Sequence, residues 1–335
     1  MGRVLVVRFS SLGDIVLTEP VVAALVEKYP EHNIDYLVLE RFAPLVAHFE
    51  HCPSEILAFP PTVTARELPA YSRRLASKGY DLVIDLHDSL RSKVIRRAFK
   101  GSTVRRYQKP RLNRWLLFYL YINRFSNDFS VVREYLRYAG LDAPASTVPR
   151  MQCAIDRVAA VKEDFKLADE YLVCIPGAAW PQKSWLIERY MEVFNNRPAG
   201  TMPQVVLLGG QDDIICDPIA AGIADGRAVN LRGRTDLEQA LAILAGCRLA
   251  VGSDTGLMHA AEALGRPVVL ILGPTSTQTG ARCHHPDSRQ HEVDLWCRPC
   301  SQNGKRPCYR REQFCLTGIT AQAVGDSIDK LIGLA

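Results

Sequence analysis

Asp254-Thr255-Gly256-Leu-Met-His259 places a carboxylate, a hydroxyl, a glycine and an imidazole within six residues, directly after the apolar run 249–251. The apolar run predicts a strand, and the residues that follow predict a helix opening at Thr255 and Gly256. The unpaired N–H groups and positive dipole end of such a helix suit a diphosphate. His259 falls one turn after Thr255, on the same helical face. A second carboxylate, Asp14, ends Ser10-Ser11-Leu12-Gly13-Asp14, which follows the apolar run 3–9. A carboxylate held at a strand-end turn is placed to take a proton from a hydroxyl. Asp14, Ser253 and Asp254 read equally well as helix caps. A third segment, Pro176-Gly177-Ala-Ala-Trp-Pro-Gln-Lys183, leaves a strand through a glycine and offers Lys183 to an anion, although a solvated lysine is the commoner fate. In Leu208-Gly-Gly210-Gln-Asp-Asp213, a carboxylate at a further strand end suits a ribose or a helix cap.

These fragments require strands to carry them. Short β-branched runs recur at 3–9, 34–39, 55–59, 81–86, 171–175, 204–208, 228–231, 248–251 and 267–272. Amphipathic helical patterns separate them at 21–29, 67–78, 187–195 and 237–245. Strands apolar on both parities, alternating with helices, predict parallel sheets covered on both faces. The expectation is an α/β protein of two Rossmann-like, doubly wound domains, 1–150 and 151–319, with a last helix in 320–335. Helices at 111–123 and 129–140 would close the first domain, and 141–149 would lead to the second. Ligands of such sheets bind beyond the carboxyl ends of the strands, so loops 10–14, 85–91, 176–184 and 253–259 should line a cleft. The first loop lacks G-x-G-x-x-G, so it is not a nicotinamide fingerprint.

Charge divides the chain. Residues 1–150 hold 22 Lys/Arg against 15 Asp/Glu, whereas 151–335 hold 19 against 21. Eleven basic residues lie between Arg91 and Arg124 without one acid, interleaved with aromatics. Nucleic acid, an anionic lipid surface or a phosphorylated saccharide would each answer that pattern, as would a solvated helix face. The chain has no apolar run long enough to span a bilayer and no secretory signal, which predicts a cytoplasmic protein.

Ten cysteines in a cytoplasmic chain argue against a disulfide framework. Cys297-x-x-Cys300, Cys308 and Cys315 could hold zinc if all four converged, but the second pair is spread over seven residues. Free thiols are the reading adopted, with no metal ligands.

The S-S-L-G-D loop, the P-G-x-x-W-x-x-K-x-W element from Pro176 and the D-T-G-x-x-H-x-A-x-A-L-G-x-P-V-V-x-x-x-G-P-T run from Asp254 together resemble the lipopolysaccharide heptosyltransferase family. The resemblance is of the glycosyltransferase family 9 type. It spans nearly the whole chain, including Cys297-x-x-Cys300 and Cys315-Leu. It implies the two-domain glycosyltransferase B (GT-B) architecture, with the acceptor on the N-terminal lobe and ADP-heptose mainly on the C-terminal lobe. Transfer would proceed with inversion, without a cofactor or metal, onto a phosphorylated, lipid-linked core saccharide at the cytoplasmic face of the inner membrane.

By this resemblance Asp14 is the general base and Lys183 meets the leaving diphosphate. Asp254 would bond heptose hydroxyls, and Thr255, Gly256 and His259 would form the phosphate turn. Ser10, Ser11, Gly13, Gly177, Gly210 and Asp213 complete the substrate-binding set. Ala178 and Ala179 stand where some members of the family present hydroxyls to the phosphates. His87 and Arg91, at the fourth strand's end, would meet the acceptor, with Lys93, Arg105, Arg106, Lys109 and Arg111 as further acceptor or membrane contacts. A transferase of another nucleotide sugar or acceptor is the alternative within this architecture. A non-catalytic nucleotide- or nucleic-acid-binding protein is the alternative outside it, disfavoured because it leaves Asp14, Lys183 and Asp254 without a joint role.

Overall fold

The computed structural model describes residues 2–144, 147–196 and 203–333. The chain divides into two compact units, Met1–Pro110 with Asp128–Gln152, and Arg111–Asn127 with Cys153–Ala335.

In the first unit, β1 (Arg3–Val7) leads through α1 (Leu12–Val16) and α2 (Glu19–Lys28) to β2 (Asn33–Leu39), then through α3 (Ala43–Ala47) to β3 (Glu55–Phe59). The chain then passes through α4 (Leu68–Ala76) to β4 (Leu82–Asp85), and through α5 (Leu90–Arg96) to β5 (Thr103–Arg106). All pairings are parallel, in the order β3-β2-β1-β4-β5. The sheet grows one way from β1 through β2 and β3, then restarts on the other side at β4. Loops after β1 and β4 therefore diverge at a topological switch point, which opens a crevice at the strands' carboxyl ends. Leu5, Val7, Phe9, Leu37, Phe59, Val83 and Ile95 form one buried cluster.

The second unit begins with α6 (Arg111–Leu120). The chain returns to the first unit for α7 (Val131–Ala139), then continues through α8 (Ile155–Phe165) to β6 (Tyr171–Ile175) and α9 (Ile187–Asn195). Next come β7 (Gln204–Leu207), α10 (Cys216–Gly222), β8 (Ala228–Asn230), α11 (Leu237–Gly246), β9 (Leu249–Ser253) and α12 (Gly256–Ala263). The chain closes with β10 (Val268–Ile271), β11 (Arg289–His291), α13 (Phe314–Thr317) and α14 (Ala321–Ile332). The order β11-β10-β9-β6-β7-β8 again reverses beside the unit's first strand, here between β6 and β9. These two strands approach so closely that a Cβ on Gly252 would lie 2.1 Å from Ile175 O, which leaves glycine as the residue that fits.

The strands form where expected because Val, Ile and Leu on both faces are buried: every residue of β4, β6 and β9 is buried. Two strands lie outside the expected set. Thr103-Val-Arg-Arg and Arg289-Gln-His are short, polar edge strands whose pattern carries no apolar signal. Helix α6 groups with the second unit rather than closing the first. Helix α14 is part of the second core, with Val324, Ile328 and Ile332 buried among Trp185, Phe194 and Leu249. The last two residues of the expected 320–335 helix, like Ala145 and Ser146 of the connecting segment, lie outside the described residues. Among the described residues no helix is long and apolar enough to cross a membrane.

Candidate functional site

The loop after β1 turns directly into α1, with Ser11 at its N-cap and Asp14 in its first turn. Asp14 Oδ2 accepts from Ser11 Oγ at 2.7 Å and from Ser11 N at 3.3 Å, so the carboxylate closes the turn from the third helical position, with Ser11 rather than Asp14 as the N-cap. It also does something a cap does not. Arg8 Nη2 lies 2.7 Å from the same oxygen, and Tyr135 OH donates to Oδ1 at 3.4 Å. Arg8 is a buried cation in an otherwise apolar strand end; it donates to Ser10 O at 2.8 Å, Leu86 O at 2.6 Å and Tyr135 OH at 2.9 Å. Desolvation opposes ionisation of Asp14, but the Arg8 charge and the Ser11 hydrogen bonds outweigh it and hold the carboxyl down to about 2. Gly13 lies buried behind this turn.

The neighbouring loop after β4 is organised by Asp85, fully buried, whose Oδ1 accepts from His87 N at 2.9 Å and Asp88 N at 3.0 Å. Arg96 Nη1 pairs with its other oxygen at 2.8 Å. His87 packs edge-on against Phe9 at 5.2 Å. Burial, with Arg8 and Lys109 nearby, pushes its pKa down to about 3, so the imidazole is neutral. Arg91 stacks over Phe9 at 5.8 Å and Phe59 at 5.2 Å. Other cations of the expected acceptor cluster are engaged at home. Arg105 donates to Ala139 O, Lys109 to Asp88 O at 3.4 Å, and Arg106 Nε lies 3.9 Å from Asp88.

In the second unit the loops after β6 and β9 meet. Lys183 Nζ lies 2.7 Å from Asp254 Oδ2, and Thr275 Oγ1 donates to that oxygen at 2.9 Å. Burial opposes ionisation of Asp254, yet Lys183 and His259, with the hydrogen bonds from Lys183 and Thr275, keep its pKa below the ordinary carboxylate value. Neither expected cap is realised there: Asp254 faces Lys183, and Ser253 Oγ donates to Pro176 O at 3.1 Å. Thr255 occupies the N-cap of α12 without a side-chain capping bond. Its Oγ1 and His259 Nδ1 are buried polar atoms with no hydrogen-bond partner within the chain, so both are available to a group from outside it. Lys183 is correspondingly not a solvated lysine, and its bond to Asp254 uses one of three N–H donors.

Asp213 Oδ2 accepts from Gly210 N at 2.7 Å, and α10 starts only at Cys216, so Asp213 is not its cap. A Cβ on Gly177 would lie 2.2 Å from Asp213 Oδ1, so glycine is what allows the carboxylate over the β6 loop. Cys297, Cys300, Cys308 and Cys315 do converge, lining one cavity of about 20 Å³. Among the described residues no group of three His, Cys, Asp or Glu side chains is arranged to hold a metal ion.

Sequence reasoning assigned no role to Arg8, Tyr135 or Thr275. An arginine inside an apolar strand end was the available signal for Arg8, since a buried guanidinium demands an anion. Thr275 closes the G-P-T end of the run that begins at Asp254, so it was visible as a motif position though not as a partner of Asp254, and Tyr135 carries no local mark.

Comparison with known proteins assigns the chain to a family. Residues 69–309 match the model of glycosyltransferase family 9 (heptosyltransferase). The lipooligosaccharide heptosyltransferase 2 of Haemophilus ducreyi is 30% identical over 82% of this chain and 84% of its own. The lipopolysaccharide heptosyltransferase 1 of Pseudomonas aeruginosa is 27% identical over 98% of both. The solved E. coli ADP-heptose lps heptosyltransferase II shares the fold with a TM-score of 0.76, at 24% identity over 99% of each chain. This chain, with two parallel-sheet α/β units of the GT-B class, belongs to glycosyltransferase family 9 and is a glycosyltransferase.

Proposed function

We propose that this protein transfers heptose from ADP-heptose to a lipopolysaccharide core acceptor, with inversion at the anomeric carbon and without a metal ion. The observation that carries the donor half is the α12 start: two buried, unpartnered polar atoms, Thr255 Oγ1 and His259 Nδ1, beside the Lys183–Asp254 pair. A diphosphate completes those bonds. As ADP departs, its β-phosphate gains charge that Lys183 and the helix N-terminus meet, each contact lowering the barrier by about 2–4 kcal/mol. Asp254 orients the sugar hydroxyls, and Asp213 the ribose. The sugar and nucleotide identities are those named for the heptosyltransferase relatives.

Asp14 accepts the acceptor hydroxyl's proton. With its pKa near 2, it is ionised at every working pH but is a weak base. Proton transfer to it becomes favourable only once the new C–O bond has acidified the hydroxyl, so removal is late in the transition state. Ser10 and Ser11 hold this turn, and His87 and Arg91 meet the acceptor, a phosphorylated lipid-linked saccharide. The protein works in the cytoplasm in peripheral contact with the inner membrane.

The test is ligand protection against unfolding with a panel of nucleotide sugars, because bound ligand stabilises in proportion to ln(1 + [L]/Kd). ADP-heptose raises Tm most. A larger shift with a UDP- or GDP-sugar overturns the donor assignment.

A further inference from the structure

Helix α6 carries its apolar face outward. At 100° per residue, Arg111, Leu112, Trp115 and Tyr119 share one face. Leu112 is 65%, Trp115 50% and Tyr119 57% exposed, whereas Leu117 on the opposite side is buried. A single exposed leucine is ordinary; a whole helix face is not. Within the same unit the face continues onto loop 296–312. The Tyr121 ring lies 4.8 Å from Trp296, which is 64% exposed. Arg306 stacks 4.8 Å over Tyr119 and donates from Nη1 to Phe118 O at 3.1 Å. Arg310 lies 5.5 Å over Trp296. Residues 111–124 and 302–312 together hold seven Lys/Arg against one acid, Glu312.

We propose that α6 and loop 296–312 form the surface by which this protein docks on an anionic phospholipid bilayer. This rests on the membrane contact proposed above and narrows it to the 111–124 end of the basic stretch, joined to a loop of the same unit. Leu112, Trp115, Tyr119 and Trp296 enter the boundary between headgroups and acyl chains, where rings with one polar end are favoured. The surrounding Lys and Arg side chains pair with lipid phosphates, so that attraction accumulates with each charge and weakens with salt. Arg306 and Arg310 lie over the Tyr119 and Trp296 rings, which places cations beside the apolar face. Nucleic acid is the lesser fit, because the aliphatic Leu112, Leu120 and Ile122 gain nothing from phosphates or base faces, whereas each CH₂ gains at a bilayer.

The experiment is co-sedimentation of the full chain with vesicles of phosphatidylcholine, with and without phosphatidylglycerol. Wild type partitions onto the anionic vesicles and is released by salt. The double variants Leu112→Ser/Trp115→Ser and Arg124→Glu/Arg311→Glu alter exposed side chains. Each weakens partition by roughly tenfold or more, while Tm and turnover on a short-chain, water-soluble acceptor stay at wild-type values. Equal binding to both vesicles, or variants that partition like wild type, overturns the proposal. So does a wild-type dimer in sedimentation equilibrium that the first variant dissociates, which would make this face a contact between copies. Tighter binding to a single-stranded oligonucleotide than to anionic vesicles also overturns it. Vesicle partition needs no turnover, so its failure is distinguishable from failure of the transferase reading, which the soluble-acceptor assay reports.

Discussion

Arg8 Nη2 and Asp14 Oδ2 stand 2.7 Å apart, with the arginine side chain 5% exposed and the aspartate 39%. The cation is therefore sealed beneath a carboxylate that a substrate can reach. Their pairing holds Asp14 down to about 2, below the usual 3.9 or so. The stabilisation it brings is present above the unfolded pKa and is lost as pH falls towards the folded value. In a pH profile of kcat/KM, Asp14 contributes no acid limb above about pH 3. Arg8→Met lifts the Asp14 pKa and moves such a limb to about pH 4–6. It also leaves Leu86 O and Tyr135 OH without their donor, at a cost of about 3 kcal/mol. Arg8→Lys, which keeps the charge, retains the low limb. An Arg8→Met profile identical to wild type contradicts the coupling.

Lys183 and Asp254 form a largely buried pair whose stabilising and binding roles separate. Lys183→Met strands a buried carboxylate, costs about 2–4 kcal/mol in urea unfolding, and weakens ADP binding. The double change Lys183→Met/Asp254→Asn restores most of the stability but not the ADP affinity measured by calorimetry. Recovery of both would mean that Lys183 only balances Asp254.

Thr255→Val tests the unpartnered hydroxyl. Replacing a group that has no hydrogen-bond partner within the chain leaves Tm within a degree or two. If the hydroxyl donates to a phosphate oxygen, Kd for ADP rises about tenfold, whereas Thr255→Ser changes it little. A fall in Tm with unchanged Kd would assign the hydroxyl to the fold.

Glu19, at the start of α2, is 2% exposed. Its Oε2 accepts from Arg150 N at 2.8 Å, while Oε1 is a buried atom without a hydrogen-bond partner. Burial pushes its pKa up to about 7. Between the unfolded value near 4.5 and 7 the unfolded chain holds fewer protons, so stability falls as pH rises through that window. Glu19→Gln keeps the bond to Arg150 and removes the charge. It therefore stabilises by roughly 1–3 kcal/mol at pH 8 and little at pH 5, read from urea midpoints. An equal effect at both values contradicts a raised pKa.

The strands that carry the site were legible because burial on both faces writes continuous apolar runs, as in Tyr171–Ile175 and Leu249–Ser253. The edge strands Thr103–Arg106 and Arg289–His291 were not, since one side of each faces no neighbouring strand and polar residues suffice. Loop chemistry was legible as residue types at strand ends. What those residues bond was not: Lys183 reaches Asp254 only because β6 and β9 are adjacent, a fact of topology. The fate of Arg105, Arg106 and Lys109 was equally hidden, because their partners at Ala139 and Asp88 are set by the fold. Helix α6 looked like a cover for the first unit because an amphipathic pattern states that one face is apolar, not which unit it lies in.

The central claim is that Asp14 takes the acceptor's proton while the donor is held elsewhere. Asp14→Asn, which preserves the shape of the turn and removes the base, tests it when heptose transfer and ADP binding are measured on the same preparation. The account predicts turnover reduced by at least about a hundredfold with Kd for ADP unchanged. Turnover within a few-fold of wild type would contradict it.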